Sequence, residues 1–179
     1  METFITTRRG TVTIHPAKEE DVKAYRDLRL QALRNHPEAF AMDYAANLAK
    51  SMSFWTEQLN FNSPDLAKII CFAVHNEGLV GMCGISRRNS PKIQHSANIW
   101  GVYVQPDWRG FHIAEELITA CIDWARIQAV KIVKIAVVTA NTAAIRCYTR
   151  CGFKVYGIEP QALYYNDTFY DELLMAQTV

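Results

Sequence analysis

The sequence lacks an excess of either charge. Its 179 residues carry 19 Lys and Arg against 18 Asp and Glu, a net charge of +1. No overall field draws such a chain to nucleic acid or to an anionic membrane, and no basic stripe stands out. It also lacks an apolar run near the ~20 residues of a membrane-spanning helix. The first ten residues hold no apolar stretch of signal-peptide length, so the expectation is a cytoplasmic protein. Glycine and proline are sparse, eight and six residues, and nowhere cluster into a linker. With no internal repeat, the reading is one domain over 1–179, with 1–10 a flexible or edge segment. The five cysteines are odd in number and form no CxxC, which favours reduced, mostly buried thiols over a metal site. No GxGxxG turn follows the first strand, which argues against a dinucleotide-binding fold.

What is present is a mixed pattern of strands and helices. Thr11 to His15 alternates as a short strand. Glu19, Glu20 and Asp21 suit a helix start. Val22, Tyr25, Leu28, Ala32 and Leu33 then follow at helical spacing, up to Asn35–His36 before Pro37. Phe54, Trp55 and Leu59 suggest a second short helix that stops before Pro64. Lys68 to His75 and Leu79 to Ser86 read as two strands joined by a hairpin turn at Asn76-Glu77-Gly78. Ala97 to Gln105 is apolar on both faces, which predicts a central strand. A long amphipathic helix is expected from about Gly110 to Gln128, a β-branched strand over Ile132 to Val138, and a helix opened by Asn141 and closed by Gly152. Phe153 to Ile158 and Phe169 to Ala176 complete the order β-α-α-β-β-β-α-β-α-β-β, an α/β fold with a mixed sheet.

The segment from Val104 to Ala114 bears most directly on function. A strand ends, a short turn carries Arg109 and Gly110, and a long helix begins. The free N–H groups and positive dipole end of such a helix make an anion site. Gly110 permits close backbone approach, and Arg109 adds a forked cation. An ordinary strand-to-helix turn with a surface arginine fits this segment alone equally well.

The run Arg109-Gly110-Phe111-His112-Ile113-Ala114 resembles the acetyl-CoA signature of the GNAT acetyltransferase superfamily, Arg/Gln-x-x-Gly-x-Gly/Ala. His112 stands where the family usually has glycine. As a residue of the first helical turn it is expected to take helical dihedrals, and its side chain either faces solvent or helps neutralise phosphate. The likeness extends over nearly the whole chain. It includes Leu28 to Leu33 with Pro37 to Phe40, Ile99 to Val104, Asn141 to Tyr148 with Cys151-Gly152-Phe153, Gly157 to Pro160, and Tyr170 to Met175. The resemblance implies a GNAT fold with splayed central strands. Acetyl-CoA would be the cosubstrate, with its pantetheine along Val102, Tyr103 and Val104, its phosphates at Arg109 to Ala114, and Asn141 and Ala144 beside it. Gly101 is a natural place for a bulge, although a fully paired strand is the alternative. Asn141 can act as N-cap and cofactor contact at once.

Tyr148 lies two helical turns beyond Asn141, on the same face. By resemblance it is the acid that protonates the departing thiolate, and the cofactor lies between it and Trp100. An ordinary phenol would lose its proton to a thiolate at a cost of roughly 2 kcal/mol. Alternatively, Tyr148 is an amphipathic core residue. A backbone N–H near Val102 is expected to stabilise the oxyanion. Asn98 occupies the place of a carboxylate that many relatives use as base, which leaves water, Glu38, Asp171 or His95. The function expected is transfer of an acetyl group to a primary amine, small molecule or peptide, by direct attack in a ternary complex. Phe40, Trp100, Tyr164 and Tyr165 would wall the acceptor site. A non-catalytic acyl-CoA-binding module and a transferase using a longer acyl-CoA are the alternatives. The resemblance also allows a homodimer, and calls for neither metal, nucleic acid nor membrane.

Overall fold

The computed structural model describes residues 2–59 and 67–179. The strand that reads as apolar on both faces lies in the middle of the sheet, together with the hairpin before it. These are β3 (Lys68–His75), β4 (Gly78–Arg87) and β5 (Ser96–Val104). Around them lie β1 (Thr3–Thr7), β2 (Gly10–Pro16), β6 (Ile132–Val138), β7 (Lys154–Tyr165) and β8 (Thr168–Thr178). The eight strands follow the order β1-β2-β3-β4-β5-β6-β8-β7. Every neighbouring pair is antiparallel except β5 with β6.

The strand β1 lies at one edge of the sheet. The final hairpin is longer than its apolar residues suggest. Its strands turn at Asn166 and Asp167, both at positive φ, which suits a two-residue turn. The turn between β3 and β4 has the same form at Asn76 and Glu77.

Helices cover both faces. On one lie α1 (Val22–Asn35), α2 (Tyr44–Leu48) and α3 (Met52–Leu59). Tyr25, Leu28, Ala32 and Trp55 pack there with Phe72, Met82 and Tyr103 of the sheet. The helix α2 has no counterpart in the sequence pattern, and the expected stop before Pro64 lies outside the described residues. On the other face are α4 (Ile113–Ile127) and α5 (Thr142–Arg150). Leu117, Ile118, Cys121 and Ala125 of α4 are buried against Cys83, Ile85, Ala97 and Ile99. No described helix is long and apolar enough to cross a membrane.

Candidate functional site

The site begins where β5 leaves its neighbours. On the β4 side, Gly84 pairs with Trp100 and Met82 with Tyr103, so Cys83 alone faces both Gly101 and Val102. This is a β-bulge, and Gly101 takes φ +66° within it. The Trp100 indole lies so close over Gly84 that a Cβ there would come within 2.6 Å of the ring. On the other side, β5 pairs with β6 only from Ser96 to Asn98. Beyond Asn98 the two strands part, leaving a cleft of about 560 Å³. Val102, Tyr103 and Val104 line it, as do Ile135 to Val138 of β6.

The N-terminus of α4 closes one end of this cleft. Helical bonding begins with the Glu116 N–H to the His112 carbonyl. Among the described residues, the N–H groups of Gly110 to Ala114 have no backbone acceptor outside the helix. Within it, their i−4 partners would fall before its first turn. Gly110 at φ +81° and His112 at φ +59° curl this row into a concave turn of backbone donors.

Two expectations are corrected here. The helix starts at Ile113 rather than about Gly110, and His112 is its left-handed N-cap rather than a residue with helical dihedrals. The family's glycine at this place therefore has a backbone reason, and His112 bears a left-handed φ that costs most residues about 1–2 kcal/mol. Its exposed ring bonds Glu115 Oε1 through Nδ1 at 3.2 Å. His112→Gly is expected to raise stability by about 0.5–1 kcal/mol, the strain relief being partly offset by glycine's chain entropy. Urea denaturation checks this, and an unchanged or lower midpoint counts against strain at His112.

Arg109 is exposed, and its side chain turns back to β5. Nε donates to the Val104 carbonyl at 3.1 Å, and NH2 lies 2.9 Å from His36 Nε2. With Nε2 accepting from Arg109, the His36 proton sits on Nδ1, which faces Glu38 Oε1 at 3.6 Å. The chain Arg109–His36–Glu38 thus joins the α4 turn to the loop after α1. Phe111 does not line the cleft. Its ring packs edge-on against Trp108 and lies under Arg8, so only its backbone is available there. Glu115 does line it, clasped by Arg150 Nε at 3.0 Å. Burial raises the Glu115 pKa, but bonds from Arg150, its own N–H and His112 outweigh this and hold it below the ordinary carboxylate value.

The third wall is α5. Asn141 caps it, its side chain accepting from the Ala144 N–H at 3.2 Å. Gly152, at φ +93°, ends it, and the Phe153 N–H returns to the Tyr148 carbonyl at 3.0 Å. Tyr148 is thereby fixed in the last turn, its ring 6.4 Å from that of Phe153. Its side chain is 7% exposed and lines the cleft beside Asn141, Ala144 and Cys147. Burial, and after it the thiols of Cys83, Cys147 and Cys151 and the Glu172 carboxylate, push the phenol well above its ordinary pKa. Full proton loss from Tyr148 therefore costs more than the 2 kcal/mol of an ordinary phenol, which revises that expectation.

Of the other residues expected in the site, Phe40, Trp100, Val102, Tyr103, Val104, Arg109, Gly110, His112, Ile113, Ala114, Asn141, Ala144 and Tyr148 line the cleft, whereas Tyr164 and Tyr165 of the expected acceptor wall line a second cavity instead. Of the base candidates, only Glu38 lines the cleft. Asp171 is exposed and accepts from the Gln161 N–H at 2.8 Å, which ties down an irregular stretch of β7. His95 is exposed and precedes β5. His36, Arg150 and Tyr170 line the cleft without having been expected there. His36 meets Arg109 across 73 residues, a contact with no local signal.

The family model described as Acetyltransferase (GNAT) family matches residues 23–153. Among curated proteins, the chain is 26% identical over 144 residues to the mycothiol acetyltransferase of Brachybacterium faecium, over 80% of this chain and 41% of that protein. It is 24% identical over 170 residues to an L-amino acid N-acetyltransferase of Escherichia coli, over 93% of this chain and 97% of that one. The chain thus spans less than half of the first relative and nearly all of the second. Among solved structures, an acetyltransferase of the GNAT family from Streptococcus pneumoniae superposes with a TM-score of 0.83 at 19% identity, over 94% of this chain and 99% of that one. A putative acetyltransferase from Salmonella typhimurium, solved with acetyl-CoA, gives 0.75 at 22% identity over 93% of both chains. At these identities the structures establish likeness of fold.

Proposed function

Since the chain belongs to the GNAT acetyltransferase family, we propose that it moves an acetyl group from acetyl-CoA to a primary amine by direct attack while both are bound. One observation carries the reading: a row of open backbone N–H groups, a bulged strand parted from its neighbour and a buried phenol all face one cleft. The N–H groups of Gly110 to Ala114 suit a pyrophosphate, as the open turn at Gly110 leaves nothing within 4 Å of where a Cβ would stand. The parted edge of β5 beyond Asn98 offers backbone groups to the amides of a pantetheine.

The bound thioester supplies an activated carbonyl. The amine nitrogen forms a bond to the carbonyl carbon, the carbon–sulfur bond breaks, the nitrogen loses a proton and the sulfur gains one. An N–H of the Gly101–Val102 bulge is suited to steady charge on the carbonyl oxygen. Tyr148, kept protonated by its burial, donates toward sulfur. Glu38 lines the cleft beside His36, which supports it, among the base candidates, as the group that takes up the amine proton.

Self-association belongs to the same proposal. Val155, Tyr156 and Ile158 of the outermost strand β7, with Phe169 of β8, are more than half exposed. Light scattering after gel filtration separates monomer from dimer.

The function is tested by thiol release from acetyl-CoA over a panel of amines, beside calorimetry of acetyl-CoA alone. Transfer to at least one amine is expected. Binding without transfer to any amine would instead mark an acyl-CoA-binding module, and absence of both would overturn the reading.

A further inference from the structure

Arg29 is buried on α1, with 5% of its surface exposed. No described carboxylate pairs with it. Its NH2 meets only the sulfur of Met42 at 3.3 Å, and its NH1 has no partner. Desolvation lowers its pKa from the ordinary guanidinium value. A buried cation is normally matched by an anion, because leaving water costs it several kcal/mol.

The position of this guanidinium suggests what the anion is. A Cβ on Gly101 would stand 3.3 Å from NH1, so the group lies against the bulge of β5. The Phe40 ring stacks on it, with Cζ 4.8 Å from the centroid. Phe40 lines both the main cleft and a second cavity of about 680 Å³ that reaches Tyr164 and Tyr165 of the β7–β8 hairpin. Phe40 and Met42, on the short loop after α1, both touch the guanidinium and both line that second cavity, while Arg29 itself lines neither cavity. Met42 is itself 44% exposed and flexible by nature. The loop thus covers an unmatched forked donor beside the bulge of β5.

We infer that Arg29 receives the carboxylate of the acceptor, and that the acceptors are α-amino acids or close analogues. This rests on the proposed function and names its substrate class. A carboxylate matches the planar fork of a guanidinium with two parallel bonds. The bulge leaves little distance between that carboxylate and the attacked carbonyl, which suits an amine on the adjacent carbon. The buried charge also disfavours an ammonium beside it, so it helps the amine lose its proton. The same charge repels polyamines.

The test compares the common L-amino acids, their carboxamides, and spermidine as acceptors, with wild type, Arg29→Met and Arg29→Lys. For wild type, kcat/KM for the preferred acid should exceed that for its carboxamide by at least about 100-fold, with spermidine inactive. Arg29→Met should reduce this ratio to about threefold or less while still binding acetyl-CoA, and its melting temperature should not fall, since an apolar side chain replaces an unpaired buried charge. Arg29→Lys should retain part of the preference, and serves alone if Arg29→Met does not fold. Carboxamides or spermidine used as well as the acids would overturn the inference. So would an Arg29→Met enzyme that keeps the wild-type ratio. If no amino acid is transferred or bound while acetyl-CoA still binds, the inference fails by itself. If acetyl-CoA does not bind, the proposed function fails with it.

Discussion

Tyr148→Phe is expected to lower kcat about 100-fold, the scale of losing a positioned acid, and to leave KM for acetyl-CoA within about twofold. The substitution deletes one oxygen and keeps the ring that packs on Phe153. Because α5 is capped by Asn141 and closed by the turn at Gly152, the ring has no reason to move. The cost should therefore fall on the transition state, where the sulfur becomes a thiolate, and not on binding. The pH profile adds a second check. An ordinary phenol would ionise near pH 10, but burial first, and neighbouring thiols and the Glu172 carboxylate after it, raise this one. A raised acid stays protonated as pH increases, so kcat should show no falling limb from Tyr148 between about pH 8 and pH 10. Tyr148→Phe that turns over at the wild-type rate would remove Tyr148 from the chemistry.

Gly101→Val is expected to cost about 3 kcal/mol of stability and to abolish measurable acetyl-CoA binding. Two effects add at this residue. Its φ of +66° is one that a β-branched residue almost never adopts. The new Cβ would also stand 3.3 Å from the Arg29 guanidinium, which is hemmed in by Phe40 and Met42 and has little room to withdraw. The strand can relieve this only by giving up its bulge, and the bulge is what aims the backbone into the cleft. Gly110→Ala is the control. Its φ is also positive, but nothing lies within 4 Å, so only the conformational cost of about 1 kcal/mol remains. Calorimetric unfolding of both variants decides the matter. A Gly101→Val protein as stable as Gly110→Ala would show that the bulge is not locked by Arg29.

These two residues also show what could be read from the chain. Gly101 was legible as the place of the bulge that the family resemblance implied, because an isolated glycine inside a strand often marks one. The face that Tyr148 shares with Asn141 was legible from their spacing of two helical turns, whereas its assignment as acid came from the resemblance to the GNAT family. The strands from Lys68 to Val104 and the helix caps at Asn141 and Gly152 emerged for equally local reasons. Other features depend on contacts far apart in sequence. Nothing near His36 or Arg109 announces their bond. The left-handed φ of His112 is imposed by the turn after Trp108, not by histidine itself. Phe111 faces away because its ring packs edge-on against Trp108 and takes the Arg8 guanidinium over its face. Arg29 is an intermediate case. It lies four residues after Tyr25 and three before Ala32, within the apolar stripe of α1, and that placement of a charge was a signal the sequence held.

In the proposed function, acetyl-CoA is gripped by its phosphates at the α4 turn and by its pantetheine along β5. Calorimetric titration with acetyl-CoA and with S-acetylpantetheine, which lacks the nucleotide and its phosphates, tests it most directly. Saturable binding of acetyl-CoA at 1:1 stoichiometry is expected, with binding of S-acetylpantetheine weaker by at least about 100-fold, since charge-assisted bonds to several backbone N–H groups are lost. Equal affinity for the two, or no binding of acetyl-CoA, would contradict it.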